Sequence, residues 1–210
     1  FPAASAAWRI SDESFMEWSK DWLSTLKMRA SYGKSGNARV GSYWRQTYSP
    51  VTSTKNLYYQ NEIGQSSLQP AKRLRNENLT WESKFSTNVG FDLGFFSNRI
   101  NLTFDYYNDV TKDLIMEVQL PSNAGYSSQY QNLGQTTNRG VELSLNANLV
   151  QTKDFYLDFN FNIAFNKNKV DALYGANGDE MILSGGGTET GSDNYRVFVG
   201  QEVGLMYGYV

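Results

Sequence analysis

Long stretches of the chain alternate apolar and polar residues with a period of two. Phe85, Thr87, Val89, Phe91, Leu93 and Phe95 interleave with Ser86, Asn88, Gly90, Asp92 and Gly94. Ile100, Leu102, Phe104 and Tyr106 follow, against Asn101, Thr103 and Asp105. Val141, Leu143, Leu145, Ala147 and Leu149 then run against Glu142, Ser144, Asn146 and Asn148. Phe155, Leu157, Phe159, Phe161, Ile163 and Phe165 run against Tyr156, Asp158, Asn160 and Asn162. Successive side chains of a strand point to opposite faces. Each run therefore predicts a strand with one apolar and one polar face. Soluble strands peak at about 5–6 residues, whereas tilted membrane strands need about 9–11. The length of these runs predicts an all-β, antiparallel transmembrane β-barrel wall.

The remaining pattern fills in the order. Residues 1–10 read as a short strand. Asp12 to Leu23 reads as a helical turn, with Ser11 or Asp12 as cap and Phe15, Trp18 and Trp22 three and four apart. Leu26, Met28, Ala30 and Tyr32 alternate with Lys27, Arg29 and Ser31 as a further strand. Residues 33–79, 108–136 and 170–194 read as long loops, the first with a strand at 40–48. A final strand is expected at 195–210. The connections at 12–23, 96–99 and 151–154 are short and fall on one side, and the long loops fall on the other. Outer-membrane barrels segregate short periplasmic turns from long extracellular loops in this way. The lipid face is expected to carry Leu143, Leu145, Phe159 and Phe161. An interfacial aromatic girdle is expected at Phe95, Phe96, Phe155 and Tyr156.

Composition narrows the chemistry. The 210 residues carry 19 Lys and Arg against 21 Asp and Glu, a balance that gives no reason to expect nucleic acid. Charged residues make up only 19% and aromatics 15%, so much of the polarity comes from Asn, Ser, Thr, Gln and Gly. Cys and His are both absent. That excludes disulfides and thiolate metal sites, and it removes the commonest general base and metal ligand. No catalytic residue, cofactor site or metal site is read from the chain, which is not expected to be an enzyme. Gly33-Lys34-Ser35 imitates the end of a phosphate loop, but Met28 stands where that motif needs Gly.

Several phrases resemble the SusC/RagA-type TonB-linked (TonB-dependent) outer-membrane transporters. Leu26-Lys27-Met28-Arg29-Ala30-Ser31-Tyr32-Gly33-Lys34-Ser35-Gly36-Asn37 resembles the family's LKLRASYGxTGN signature. Asn76-Glu77-Asn78-Leu79-Thr80-Trp81-Glu82 is similar to its NPNLKWE element, with Glu77 where Pro is usual. Asn88-Val89-Gly90-Phe91-Asp92, Asp105-Tyr106-Tyr107, Asn138-Arg139-Gly140-Val141-Glu142 and Val199–Tyr209 also fit, in order. The resemblance implies a location in the bacterial outer membrane and a barrel of about 22 strands. Residues 1–210 would supply roughly 7–8 of those strands from its C-terminal half. It implies that the plug domain and TonB box lie upstream, outside this segment. It further implies import of large nutrients, glycans or oligosaccharides and also peptides. The implied partners are a SusD-like surface lipoprotein acting as a lid, the TonB–ExbB–ExbD energising complex and outer-membrane lipid.

Trp44, Tyr58, Tyr59, Tyr126 and Tyr130 fall in the expected extracellular loops. Their rings can stack on the apolar faces of sugars while their polar edges hydrogen-bond. They are the candidate contacts for cargo or lid, against the plainer reading of loop packing. A soluble all-β glycan-binding module is the competing architecture, since a sandwich also alternates.

Overall fold

The computed structural model describes residues 1–38, 73–173, 180–183 and 195–206. The alternating runs form β1 (Ala3–Arg9), β2 (Leu23–Asn37), β4 (Glu82–Phe95), β5 (Ile100–Gln119), β6 (Ser128–Gln151) and β7 (Tyr156–Ala172). These lie side by side in chain order, each antiparallel to the next. A short β3 (Arg73–Leu74) adds to β6 in parallel. A second small sheet holds β8 (Glu180–Leu183), β9 (Tyr195–Phe198) and β10 (Leu205–Met206). It is tied to the end of β7 by backbone bonds from Val170 to Gln201 and from Gly200 to Val170, at 2.9 and 2.7 Å.

The sheet is an open, antiparallel portion of a barrel. Among the described residues β1 pairs only with β2, so one of its edges is unpaired, and β7 is paired along most of its length only with β6. Among the described residues there is no central core. The few fully buried apolar side chains, such as Val118 and Val170, lie near the strand ends.

Several expectations are corrected. Residues 108–136 are not a long loop. β5 and β6 continue through them as a paired hairpin, leaving only 120–127 as the connection. Asn- and Gln-rich sequence reads as loop, but here its backbone groups are satisfied by cross-strand pairing and its amides by further bonds. A bulge accommodates the extension, with Asp113 in the left-handed region at φ 59°. The helical turn expected at 12–23 is present as two 3-10 stretches, Ile10–Asp12 and Ser14–Ser19, but without the side-chain cap expected from Ser11 or Asp12. The loop expected from 170 begins after β7 ends at Ala172, and β8 lies within it. The final strand is split into β9 and β10 by a turn in which Gly200 and Gly204 have φ of 87° and 85°. The strand expected at 40–48 lies outside the described residues.

Candidate functional site

The register across the six long strands fixes which side chains share a face. Met28, Phe91, Phe104, Leu143 and Ile163 form one cross-strand row, and Leu26, Leu93, Leu102, Leu145 and Phe161 form the next. With their neighbours they make one apolar face running from β1 to β7. It stays open: Phe161 is 43% and Phe165 66% exposed. Exposed apolar surface on this scale marks an interaction surface rather than a solvated one. Leu143, Leu145, Phe159 and Phe161 all lie on it, as expected.

The aromatic end of this face is richer than the sequence reading had it. Trp22 stacks on Phe95 at 6.1 Å, Trp18 packs on Trp22 at 6.0 Å, and Trp8 meets Phe15 at 6.4 Å. The concentration of Trp at positions 8, 18 and 22 carries this signal in the sequence. The adjacent turn is tight. Phe96, Ser97 and Asn98 all have left-handed φ, from 52° to 60°. The backbone N–H groups of Phe96 and Ser97 donate to the Trp22 carbonyl and the Ser24 hydroxyl, at 2.9 and 2.7 Å.

The opposite face is polar and ionic. The Arg29 guanidinium on β2 makes a two-pronged contact with Asp92 on β4, at 2.9 and 3.0 Å. It also reaches Asp105 on β5 at 3.1 Å, crossing β4 entirely. Gly90 makes that crossing possible: a Cβ there would lie 2.3 Å from Asp105 Oδ1 and 2.8 Å from Arg29 Nη2. Tyr107 uses Gly140 in the same way, its hydroxyl lying 2.6 Å from where a Cβ would stand. Lys84 pairs with Asp109 at 2.7 Å. Sequence placed these residues on polar positions but could not show which of them meet across strands.

Above the end of β4, the β5–β6 hairpin projects alone and the returning chain straps it. β3 pairs with Ser128 and Gln129 on one edge of the hairpin. The strap then crosses to the other edge, where the Ile115 N–H donates to Glu82 Oε1 at 3.1 Å. Asn132 holds it midway, accepting from the Thr80 N–H at 2.8 Å and donating to the Thr80 carbonyl at 2.9 Å. Leu79 is buried beneath. Glu117 anchors the tip: it accepts from Ser128 at 2.6 Å, Arg73 at 2.9 Å and Tyr130 at 3.3 Å. The Ser128 bond, helped by Arg73 and opposed by burial, holds the Glu117 carboxyl below its usual range. Burial and the neighbouring carboxylate push the Tyr130 phenol up.

Tyr130 therefore stands in an ionic cluster, with the Arg73 guanidinium 5.1 Å from its ring centre. Tyr126 is half-buried in the connection 120–127. Trp44, Tyr58 and Tyr59 lie outside the described residues. Among the described residues no cluster of three or more His, Cys, Asp or Glu is placed to hold a metal ion.

A family model described as "TonB dependent receptor-like, beta-barrel" matches residues 1–196. The chain belongs to that family. This TonB-dependent receptor β-barrel segment is 36% identical to TonB-dependent receptor P26 of Formosa agariphila, over 99% of this chain and 20% of that protein. It is 32% identical to TonB-dependent receptor SusC of Bacteroides thetaiotaomicron, over 94% of this chain and 20% of that protein. Among solved structures it is similar to the RagAB peptide importer in its "open-open" state, with TM-score 0.77, 28% identity, and coverage of 95% of this chain and 20% of that one. The chain thus spans about one fifth of the length of the curated relatives it matches. The SusC and RagAB likenesses bear out the resemblance drawn from Leu26–Asn37 and its companions. They place the segment in the outer membrane, where the apolar face of a barrel wall meets lipid and its polar face meets the lumen.

Proposed function

We propose that this segment is wall and outer rim of a transporter that imports large nutrients, glycans or peptides, beneath a SusD-like lipoprotein lid. The plug and the TonB box that engages the TonB–ExbB–ExbD complex would lie elsewhere in the full protein. The observation that carries this reading is an exposed apolar face, uncharged along the wall below the hairpin end, set against an ionic face on the same six strands. A soluble glycan-binding sandwich would have to cover that apolar face with a second sheet. Family membership in a membrane barrel speaks against it.

The strapped hairpin is the rim on this reading. Its end of the wall is extracellular, and the turns at 96–99 and 152–155 are periplasmic. No group here is assigned to catalysis. Trp44, Tyr58, Tyr59, Tyr126 and Tyr130 remain the proposed contacts for cargo or lid, with Tyr130 also bracing the hairpin through Glu117 and Arg73.

Two experiments test this in the full-length protein. Single Cys residues at Asn123, Ser97 and Lys153, all exposed, meet no competing native thiol. An impermeant thiol reagent on intact cells should label Asn123→Cys and spare Ser97→Cys and Lys153→Cys; the opposite pattern inverts the orientation. Ser128, which sequence placed in an open loop, is only 2% exposed and unsuited to this use. Replacing all five aromatics with Ala should abolish uptake. Retained lid co-purification would mark cargo contact, and loss of the lid as well would mark an interface. Wild-type uptake and lid binding together would sink the assignment.

A further inference from the structure

The outward face is free of charge along the wall until the rows nearest the hairpin end, and there its charge changes abruptly. Lys34 is cross-strand to Phe85, and Lys112 to Ser83. Arg139 pairs with Asn108 and with Lys167, and Lys169 pairs with Thr137. By strand alternation all of these cations share the face of Phe91, Phe104 and Leu143. Lys34 Nζ and Lys112 Nζ stand 5.2 and 5.6 Å from the Phe85 ring centre, one from each neighbouring strand. A shallow depression of about 530 Å3 opens beside Lys112, floored by Phe85 and Val110 and edged by Tyr32, Thr137 and Asp171. Among the described residues, Asp171 is the carboxylate the register brings to this group. It accepts from Thr137 and lies 3.7 Å from Lys169. The acids paired in the wall, Asp92, Asp105 and Asp109, face the lumen instead.

The height of this belt matches a membrane boundary. From Phe95, beside the Trp cluster, to Phe85 is ten residues of β4. That is about 33 Å along a strand, or about 25 Å along the membrane normal at a tilt of about 40°, which is the height of an outer-membrane apolar band. Among the described strand residues of this face, cations are thus placed where headgroups begin at the hairpin end.

We propose that this belt is a docking site for a phosphorylated outer-leaflet glycolipid, whose phosphates are held by Lys34, Lys112, Arg139, Lys167 and Lys169 while its chains lie on the apolar face below. Charge complementarity selects this occupant: clustered ammonium and guanidinium groups over an aromatic floor recognise phosphate, and a zwitterionic or uncharged lipid leaves them unmatched. The placement of the belt in the outer leaflet rests on the orientation proposed above; its preference for phosphate does not.

The test uses the purified full-length transporter in mixed micelles and measures binding of fluorescent lipid A, its phosphate-free form, and phosphatidylcholine. Lipid A should bind in preference to both, and inorganic phosphate should not displace it. Lys34→Gln with Lys112→Gln should weaken binding about fivefold for each cation removed, the equivalent of about 1 kcal/mol per basic residue near an anionic surface. Lys34→Arg with Lys112→Arg should keep it, which separates charge loss from misfolding. Lys27→Gln with Lys84→Gln, on the lumen face, should leave it unchanged. Equal binding of the phosphate-free lipid, or equal loss with the lumen variants, overturns the proposal. Periplasmic labelling of Asn123→Cys with lipid A preference intact would instead overturn the orientation and leave the belt standing.

Discussion

The two faces of this wall are built on the same backbone, yet they depend on their residues differently. On the outward face, position decides and identity does not. Met28, Phe91, Phe104, Leu143 and Ile163 share a row with no specific geometry among them beyond being apolar. On the lumen face, identity and register decide together. Arg29 reaches Asp105 only because Gly90 leaves the space between them. Lipid asks for an absence of charge, whereas an ion pair across three strands asks for particular partners.

That contrast can be broken most sharply at mid-wall. Leu145→Arg should destabilise the full barrel in lipid vesicles by about 2–4 kcal/mol, while Ser144→Arg, one residue away on the lumen face, should stay within about 1 kcal/mol. Urea midpoints of the two variants decide it. Equal losses would mean the faces are not distinguished by lipid at all.

On the lumen side the expected losses are smaller and coupled. Arg29→Met leaves two carboxylates without their cation and should cost about 1–2 kcal/mol, reduced by their partial exposure. Gly90→Ala should cost about 1–3 kcal/mol by driving a methyl group into the same bridge. Because both act on one contact, the double variant should lose less than the sum. Additive losses would show that Gly90 serves something other than the Arg29–Asp105 crossing.

The hairpin offers a pH probe outside the membrane. The Glu117 carboxyl lies below its ordinary value of 4.5. Its contribution is therefore complete above that value and drains away as pH falls through the lower, folded one. Protection of the amides in residues 75–81, corrected for intrinsic exchange, should fall as pH drops below the ordinary carboxylate value of 4.5 and lose that dependence in Glu117→Gln. Unchanged acid sensitivity in the variant would assign the effect to another group. Smallest of all, Ser97→Gly should stabilise the turn by about 0.5 kcal/mol, since relief of left-handed strain slightly exceeds the added chain entropy.

The wall was legible in sequence because its period of two is set locally, residue by residue. The alternation of Phe85–Phe95 and Val141–Leu149 translated directly into faces. What was not legible depended on partners far along the chain. Residues 108–136 look like a loop until β5 and β6 are paired and the 73–82 strap is laid over them. The Arg29–Asp92–Asp105 contact needs the register of three strands, which alternation leaves undetermined. The spacing of Phe15 and Trp18 fits their 3-10 turn, but the stacking of Trp22 on Phe95 joins residues more than seventy apart. Of the candidate aromatics, Tyr130 is engaged with Glu117 and Arg73, partners that loop composition alone does not reveal.

The strap has one consequence for how the rim is wired. The chain departs from β2 at Asn37 and returns at Arg73 on the far edge of β6, with β4 and β5 lying between. Four strand spacings make about 19 Å across the sheet, and the return point stands about six residues higher, so the two feet are about 28 Å apart. Extended chain covers that gap with about nine residues. The stretch that joins them is several times longer than connection requires. Joining the two feet therefore asks for only a fraction of that length, and a version shortened between them to about a dozen residues should still pair Arg73 with Ser128.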